Sequence, residues 1–195
     1  HSQPWVTHAS LQTIEFYNLL RWRQRYQKPV LVDEMRYEGD VASRWGNLSA
    51  EEMTSYFWIT ALCGAYPTHG DTFDNRAGDG ETRWWAKGGT LPGKSVARIA
   101  FFRQIMEQAP VTEMSPIMES AGKPETLTDN IHIFAKPGSY YLAYAAGAGK
   151  AIRLELPAGS RYKVELIDTW NMTLTPLPAA MPGEFSFTTA ASYSA

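Results

Sequence analysis

The sequence predicts an α/β fold plus an all-β one: a parallel α/β sheet or barrel segment over residues 1–110 and a small antiparallel β-sandwich over 126–195. Three observations carry this. Short apolar runs alternate with helical patterns through the first 110 residues, the β-α-β-α-β-α rhythm of a parallel sheet. Composition then shifts to Pro, Ser, Thr, Gly and Glu, so that 111–125 reads as a linker. Beyond it, short segments of polar–apolar alternation are separated by turn residues, which marks an antiparallel sandwich.

The first apolar run is Pro4-Trp5-Val6-Thr7, ending at His8. Ser10 is placed to cap a helix over LQTIEFYNLLRWRQRYQ, whose Ile14, Tyr17 and Leu20 fall at helical spacings and whose basic end suits a helix C-terminus. Lys28-Pro29 stops that helix, because the residue before a proline is pushed out of the helical region, and opens a strand at Val30–Asp33. Ser49 and Glu52 form an S-x-x-E capping box for a second helix with Met53, Phe57, Thr60 and Ala61 as its buried stripe and Gly64 as its end. Ala65–Thr68 is the next strand, followed by a long Gly-rich loop. A third helix spans Ser95–Gln108, with Val96, Ile99, Phe102 and Met106 on one side. Three such repeats do not fill an eight-fold barrel and are few for an open sheet.

In the second part, NIHIFA, SYYLAYAA, AIRLELP, RYKVELIDTW, MTLTPL and EFSFTT read as strands. Tyr162, Val164 and Leu166 alternate with Lys163, Glu165 and Ile167. Lys136-Pro137-Gly138, Pro157-Ala158-Gly159 and Met181-Pro182-Gly183 supply the turns.

Composition narrows the function classes. With 44% hydrophobic and 19% charged residues, the 195-residue chain has the composition of a globular protein. Lys+Arg 18 against Asp+Glu 20 leaves no basic excess, which argues against a nucleic-acid partner. No run approaches the roughly 18 apolar residues that span a bilayer, so no membrane partner is read. The single cysteine, Cys63 in ITALCGAY, excludes an intrachain disulfide framework and reads as a core residue. His1 and His132 lack metal-ligand spacing, and neither a metal nor a cofactor is read. Aromatic content is 13%, with 7 Trp and 10 Tyr; flat faces with polar edges suit sugar rings, although most such residues are core.

In a βα barrel, chemistry gathers where strands end and βα loops begin. On this reading His8, Glu34 and His69 stand at three successive strand ends. The charge crowded after Val30-Leu31-Val32 is then the point where a buried stave reaches solvent. Strand alternation turns Asp33 and Glu34 opposite ways without saying which faces the axis. Arg36 and Glu38 are placed to orient Glu34 or meet sugar hydroxyls, or to pair with each other. Tyr37 is a substrate contact or a structural rim residue. Trp84-Trp85 in the Gly-rich loop is the best sugar-platform pair, and Trp45 a weaker one.

The stretches KPVLVDEMRYEGD, WGNLSAEEMTSYFWITALCGAYPTHGDTF and WWAKGGTLPGKSVARIAFFRQIMEQ resemble the last third of a (β/α)8 glycoside hydrolase of the apiosidase-like and cellulase-like group, related to clan A. YYLAYAAGAGKAIRLELPAGSRYKVELIDTWNMTLTPLPAAMPGEFSF resembles the small β-sandwich that follows that barrel in many bacterial members. The resemblance implies a partial (β/α)8 TIM barrel: residues 1–110 are strands six to eight with their helices, and 126–195 is the accessory domain. It further implies that Glu34 is the nucleophile of a retaining mechanism, with His8, Arg36, Tyr37, Glu38, His69, Trp84 and Trp85 as candidate contacts to a carbohydrate substrate. The acid/base would come from strand four. That places it in the N-terminal part of the same barrel, outside these residues, and leaves this stretch inactive alone.

Two other classes compete. In one, the sandwich binds polysaccharide and the α/β part is scaffold; the tyrosines of 126–195 fall on alternating positions, more like core than a flat binding strip. In the other, the chain is an α/β hydrolase of different chemistry, but no G-x-S-x-G elbow, P-loop or dinucleotide fingerprint supports it. GAGK at 147–150 lies between strands and is a turn.

Overall fold

The computed structural model describes residues 1–41, 45–72, 91, 93–117, 131–159 and 161–189. The chain divides into two compact units, His1–Ala61 with Ala65–Ala100, and Leu62–Gly64 with Phe101–Ala195.

The first unit is built on three parallel strands, β1 (Ala9–Gln12), β2 (Val30–Glu34) and β3 (Tyr66–Pro67), in the order β1-β2-β3. Helix α1 (Leu19–Tyr26) connects the first two and α2 (Ala50–Leu62) the second two. Among the described residues the strands form an open sheet, not a closed barrel. Ala9, Val30 and Val32 are fully buried with Phe16, Leu19 and Met53 in the core. The β1–β2 register runs Ala9↔Val30, Ser10↔Leu31, Leu11↔Val32 and then shifts, so that Gln12 stands opposite Glu34. That shift brings an amide side chain to the carboxylate at the end of β2.

Helix α2 begins and ends as its sequence predicts. The Glu52 amide donates to Ser49 Oγ (3.1 Å) and the Ser49 amide to Glu52 Oε2 (2.9 Å), the two halves of a capping box. Gly64 takes a left-handed φ of 71°, and the Ala65 amide reaches back to the Thr60 carbonyl (3.1 Å), a glycine-terminated helix end. The stripe Met53, Phe57, Thr60 and Ala61 is buried throughout.

The start of the chain differs from expectation. Pro4–Thr7 is not a strand; residues 3–5 turn, with the Val6 amide on the Gln3 carbonyl (3.1 Å) and Trp5 75% exposed. The strand lies at Ala9–Gln12, where the predicted helix was to begin. Those residues pair with β2 instead, and the Thr13 amide extends the pairing to the Glu34 carbonyl (2.9 Å), after which Thr13 Oγ1 accepts the Glu15 amide (2.9 Å) in a side-chain turn. A 3-10 turn at Phe16–Asn18 then leads into α1. Ser10 caps no helix; its hydroxyl donates to Asp33 on the neighbouring strand.

Helix α3 (Ser95–Gln108) starts in the first unit and ends in the second. Its buried positions are Ser95, Phe102 and Ile105, whereas Val96, expected on the inner stripe, is 53% exposed.

The second unit is antiparallel. Strands β4 (Ser115–Ile117), β5 (Ile131–Lys136) and β6 (Tyr140–Ala145) form one sheet, β7 (Ala151–Leu156) pairs with β10 (Gly183–Thr188), and β8 (Tyr162–Asp168) pairs with β9 (Thr173–Ala180). All six segments read from alternation form strands β5–β10. A 3-10 turn at Val111–Glu113 and β4 fall within 111–125, the stretch read as a linker. Pro116 fits β4 because that strand is the edge of its sheet among the described residues, where a missing N–H breaks no ladder. Lys136–Ser139 is a turn with Pro137 second, Gly138 third at φ 80°, and the Ser139 amide on the Lys136 carbonyl (3.0 Å).

Candidate active site

Parallel strands place all their C-terminal ends on one edge, where the next loop leaves the sheet. On that edge stand Gln12, Glu34 and, just past β3, Thr68 and His69. Glu34 is half-buried and meets donors from two directions. Gln12 Nε2 donates to its Oε2 (3.2 Å), and the indole N–H of Trp45 donates to its Oε1. The Tyr37 hydroxyl also lies against it: burial first, and then the charge and hydrogen-bonding of Glu34, push the Tyr37 pKa up.

Asp33, one residue earlier, turns the other way as alternation requires. It is exposed and bonded to Ser10. Two adjacent carboxylates therefore have separate partners.

Residues 36–41 and 45–48 carry Tyr37 and Trp45. The two stretches are joined by backbone bonds from Tyr37 N to Trp45 O (2.8 Å), Leu48 N to Tyr37 O (3.0 Å) and Gly39 N to Leu48 O (3.1 Å). Arg36 opens the first stretch with a left-handed φ of 82°, uncommon for a residue with a Cβ, and its guanidinium donates to Asn47 Oδ1 (2.6 Å). Of the expected roles for Arg36, orienting Glu34, meeting sugar hydroxyls or pairing with Glu38, the first and third find no direct contact among the described residues; its guanidinium meets Asn47.

Glu38 belongs to a second cluster. It is 6% exposed, and its carboxylate accepts the backbone amides of Lys94 (2.6 Å) and Ser95 (3.2 Å) and the Ser95 hydroxyl (2.5 Å). This is a carboxylate capping the N-terminus of α3, with the favourable dipole of unpaired N–H groups. Burial works against its charge, but the nearby His69 ring, the Ser95 hydroxyl and the two amides outweigh it and hold its pKa at about 2. His69 Nε2 stands 3.2 Å from Ser95 Oγ and 3.8 Å from Glu38 Oε2. Asp71 completes the cluster, accepting the Gly93 amide (3.0 Å); burial, with the nearby Glu38 charge, pushes its pKa up.

Serine, histidine and glutamate side by side resemble a nucleophile relay, but the order is wrong. The carboxylate bonds the serine and lies on the same histidine nitrogen as the serine, and Ser95 is fully buried. Nor do Glu38, His69 and Asp71 make a metal cage: among the described residues no group of three or more such side chains is placed to hold one.

His8 lies at the far end. It precedes β1, beside Thr7, Pro29, Leu31 and Tyr66 around a cleft of about 420 Å³, at the N-terminal edge of the sheet. Its expected place at a strand's C-terminal end followed from the misplaced first strand. Trp84 and Trp85 lie outside the described residues. Sequence reasoning missed Gln12, which the β1–β2 register shift alone brings to Glu34, and gave Trp45 a sugar platform's part without its bond to the carboxylate.

Comparison with known proteins gives the setting. A family profile described as a domain of unknown function (DUF5605) matches residues 130–193. No curated protein matches the chain. A candidate glycoside hydrolase from Bacteroides vulgatus is similar in structure, with a TM-score of 0.71 and 29% identity over 96% of this chain. A second structure described as a glycoside hydrolase (TM-score 0.67, 15% identity, 91% of this chain) and a glycoside hydrolase family 5 protein from Bacteroides vulgatus (0.67, 14%, 91%) share the fold. This chain spans 40%, 44% and 43% of the three, respectively. Its fold is similar to part of the fold of these glycoside hydrolases.

Proposed function

We propose that this chain supplies the nucleophile end of a retaining (β/α)8 glycoside hydrolase acting on poly- or oligosaccharides, with Glu34 as the nucleophile. The observation that carries the reading is Glu34 itself: a half-buried carboxylate at the C-terminal end of the central parallel strand, with separate donors on its two oxygens. Likeness to glycoside hydrolases over 96% of the chain supports the reaction class.

In that reaction one Glu34 oxygen attacks the anomeric carbon as the glycosidic bond breaks, giving a covalent glycosyl–enzyme that water then hydrolyses. A second carboxyl about 5–5.5 Å away protonates the leaving oxygen and later activates the water. Glu38 and Asp71 are committed to the α3 N-terminus and the Gly93 amide, so the acid/base is assigned to the remaining strands of the barrel. An open parallel sheet needs cover on both faces, and those strands would supply it. Residues 126–195 are assigned as the accessory β-sandwich. In this reading Tyr37 keeps its place at the site, and Arg36, Glu38 and His69 hold the loops around it.

The test uses the full-length protein and a panel of 2-deoxy-2-fluoro glycosyl fluorides, which trap the covalent intermediate. Mass spectrometry of the digest is expected to place the sugar on the peptide containing Glu34, and Glu34→Gln to abolish both labelling and turnover. Labelling of another carboxylate, or turnover by Glu34→Gln, refutes the assignment.

A further inference from the structure

We propose that Trp45 and Gln12 are positioning residues for Glu34, holding its carboxylate in one orientation; this rests on the nucleophile reading above. The two donors come from different elements, Gln12 from the end of β1 and Trp45 from the loop after β2, and each takes a different oxygen. Rotation of the carboxylate about its Cγ–Cδ bond would break both contacts together. An attacking carboxylate is productive only when one lone pair points along the line of attack, so a group held in its plane starts closer to the reacting geometry.

The anchors are themselves anchored. The Trp45 carbonyl accepts the Tyr37 amide at 2.8 Å, so the indole hangs from a loop tied back to the residue three beyond Glu34. Gln12 lies on a strand paired with β2, and the register shift between Leu11 and Gln12 sets it opposite Glu34. An indole N–H can donate but never accept, so its bond to Glu34 is one-directional and needs the carboxylate oxygen as acceptor. A tryptophan acting as a sugar platform would use its ring face. This one has its polar edge engaged with the carboxylate, which assigns it to Glu34 before any sugar arrives.

Two experiments test the assignment. In the full-length protein labelled with ¹⁵N at tryptophan, the Trp45 indole resonance is identified by its loss in Trp45→Phe. It is expected to move upfield in Glu34→Gln, because a neutral amide oxygen is a weaker acceptor than a carboxylate. An unmoved resonance overturns the contact and the proposal with it.

In the full-length protein, with the best substrate from a panel of 2,4-dinitrophenyl glycosides, Trp45→Phe is expected to lower kcat about 10–100-fold, the scale of losing a partner that orients a reacting group, with KM little changed. Trp45→His, which keeps a ring N–H, should recover part of the loss, and Gln12→Leu should give a smaller fall in kcat. A rise in KM at constant kcat would instead make Trp45 a sugar contact and overturn the positioning role. Glu34→Gln separates the two levels. Turnover surviving in Glu34→Gln sinks the nucleophile reading; turnover lost there but unchanged in Trp45→Phe and Gln12→Leu sinks the positioning role alone.

Discussion

Glu38 and Ser95, 57 residues apart in the sequence, meet through one oxygen: Glu38 Oε2 accepts both the Ser95 amide and the Ser95 hydroxyl, while Oε1 takes the Lys94 amide. The loop that follows β2 is thereby fastened to the first turn of α3. Gly39 and Gly70 tighten the same region, since a Cβ on Gly39 would fall 1.8 Å from Thr72 Oγ1 and one on Gly70 would meet the Arg36 carbonyl at 2.9 Å. The residues on either side of Tyr37 are thus fixed by contacts from two other parts of the chain.

Glu38→Gln keeps the shape but sets an NH₂ group against amide donors. The expected cost is about 3 kcal/mol at pH 7, the scale for breaking a buried charged hydrogen-bond network. Because the folded pKa of Glu38 is held at about 2 against an ordinary 4.5, its stabilisation is present above pH 4.5 and lost as pH falls toward 2. Urea unfolding of wild type and variant should therefore diverge at pH 7 and converge toward pH 2–3. Equal midpoints at pH 7 would remove Glu38 from the fold's support.

Asp71 has the opposite sign. Its raised pKa means that the folded state binds the proton more tightly, so its contribution is full at low pH and is lost as pH rises through the folded value. Asp71→Asn retains an oxygen for the Gly93 amide and removes the like charge beside Glu38. It should be more stable than wild type at pH 7, by no more than about 1 kcal/mol, and no more stable at pH 3. Thermal melts at the two pH values decide this, and a loss of stability at pH 7 contradicts it.

Gly93 shows how little room the cluster leaves. A Cβ there would lie 2.2 Å from Asp71 Oδ2 and 2.9 Å from Glu38 Oε2. Gly93→Ala must push both carboxylates away from the α3 N-terminus, at an expected cost of about 1–3 kcal/mol. The same substitution in an Asp71→Ala background should cost less, since one of the two obstructing groups is gone. Additive losses in the double variant would show that the strain lies elsewhere.

What the sequence reveals of this site follows from the range of each interaction. Ser49 and Glu52 are legible because a capping box closes within four residues. Glu34 is legible because an apolar strand that breaks into charge marks its own end. Glu38 is not, since the groups that bind it sit at 94 and 95. Gln12 and Trp45 are not, since a one-residue register shift and a loop closure bring them to Glu34. His8 was misplaced because ASLQ is a poor strand by propensity and forms one only beside Val30 and Val32, where Ala9 packs without exposure.

In the second unit His132, on β5, sets a separate acid limit. Its Nδ1 lies 3.5 Å from Cys63 Sγ, its Nε2 is buried without a partner among the described residues, and burial lowers its pKa to about 4. Above pH 6.5 the ring is neutral in both folded and unfolded chains and contributes nothing to pH dependence. Between 6.5 and 4 the unfolded chain takes up the proton and the folded one does not, so stability falls as pH falls, by up to about 3 kcal/mol from this group. His132→Leu removes the titration while keeping an apolar filler. Its unfolding midpoint should change less than that of wild type between pH 7 and 4.5, with the difference confined to that window. A wild-type midpoint that stays level across the window, or a variant as acid-sensitive as wild type, would mean that the ring protonates in place and that the cleft between Cys63 and β5 accepts the charge.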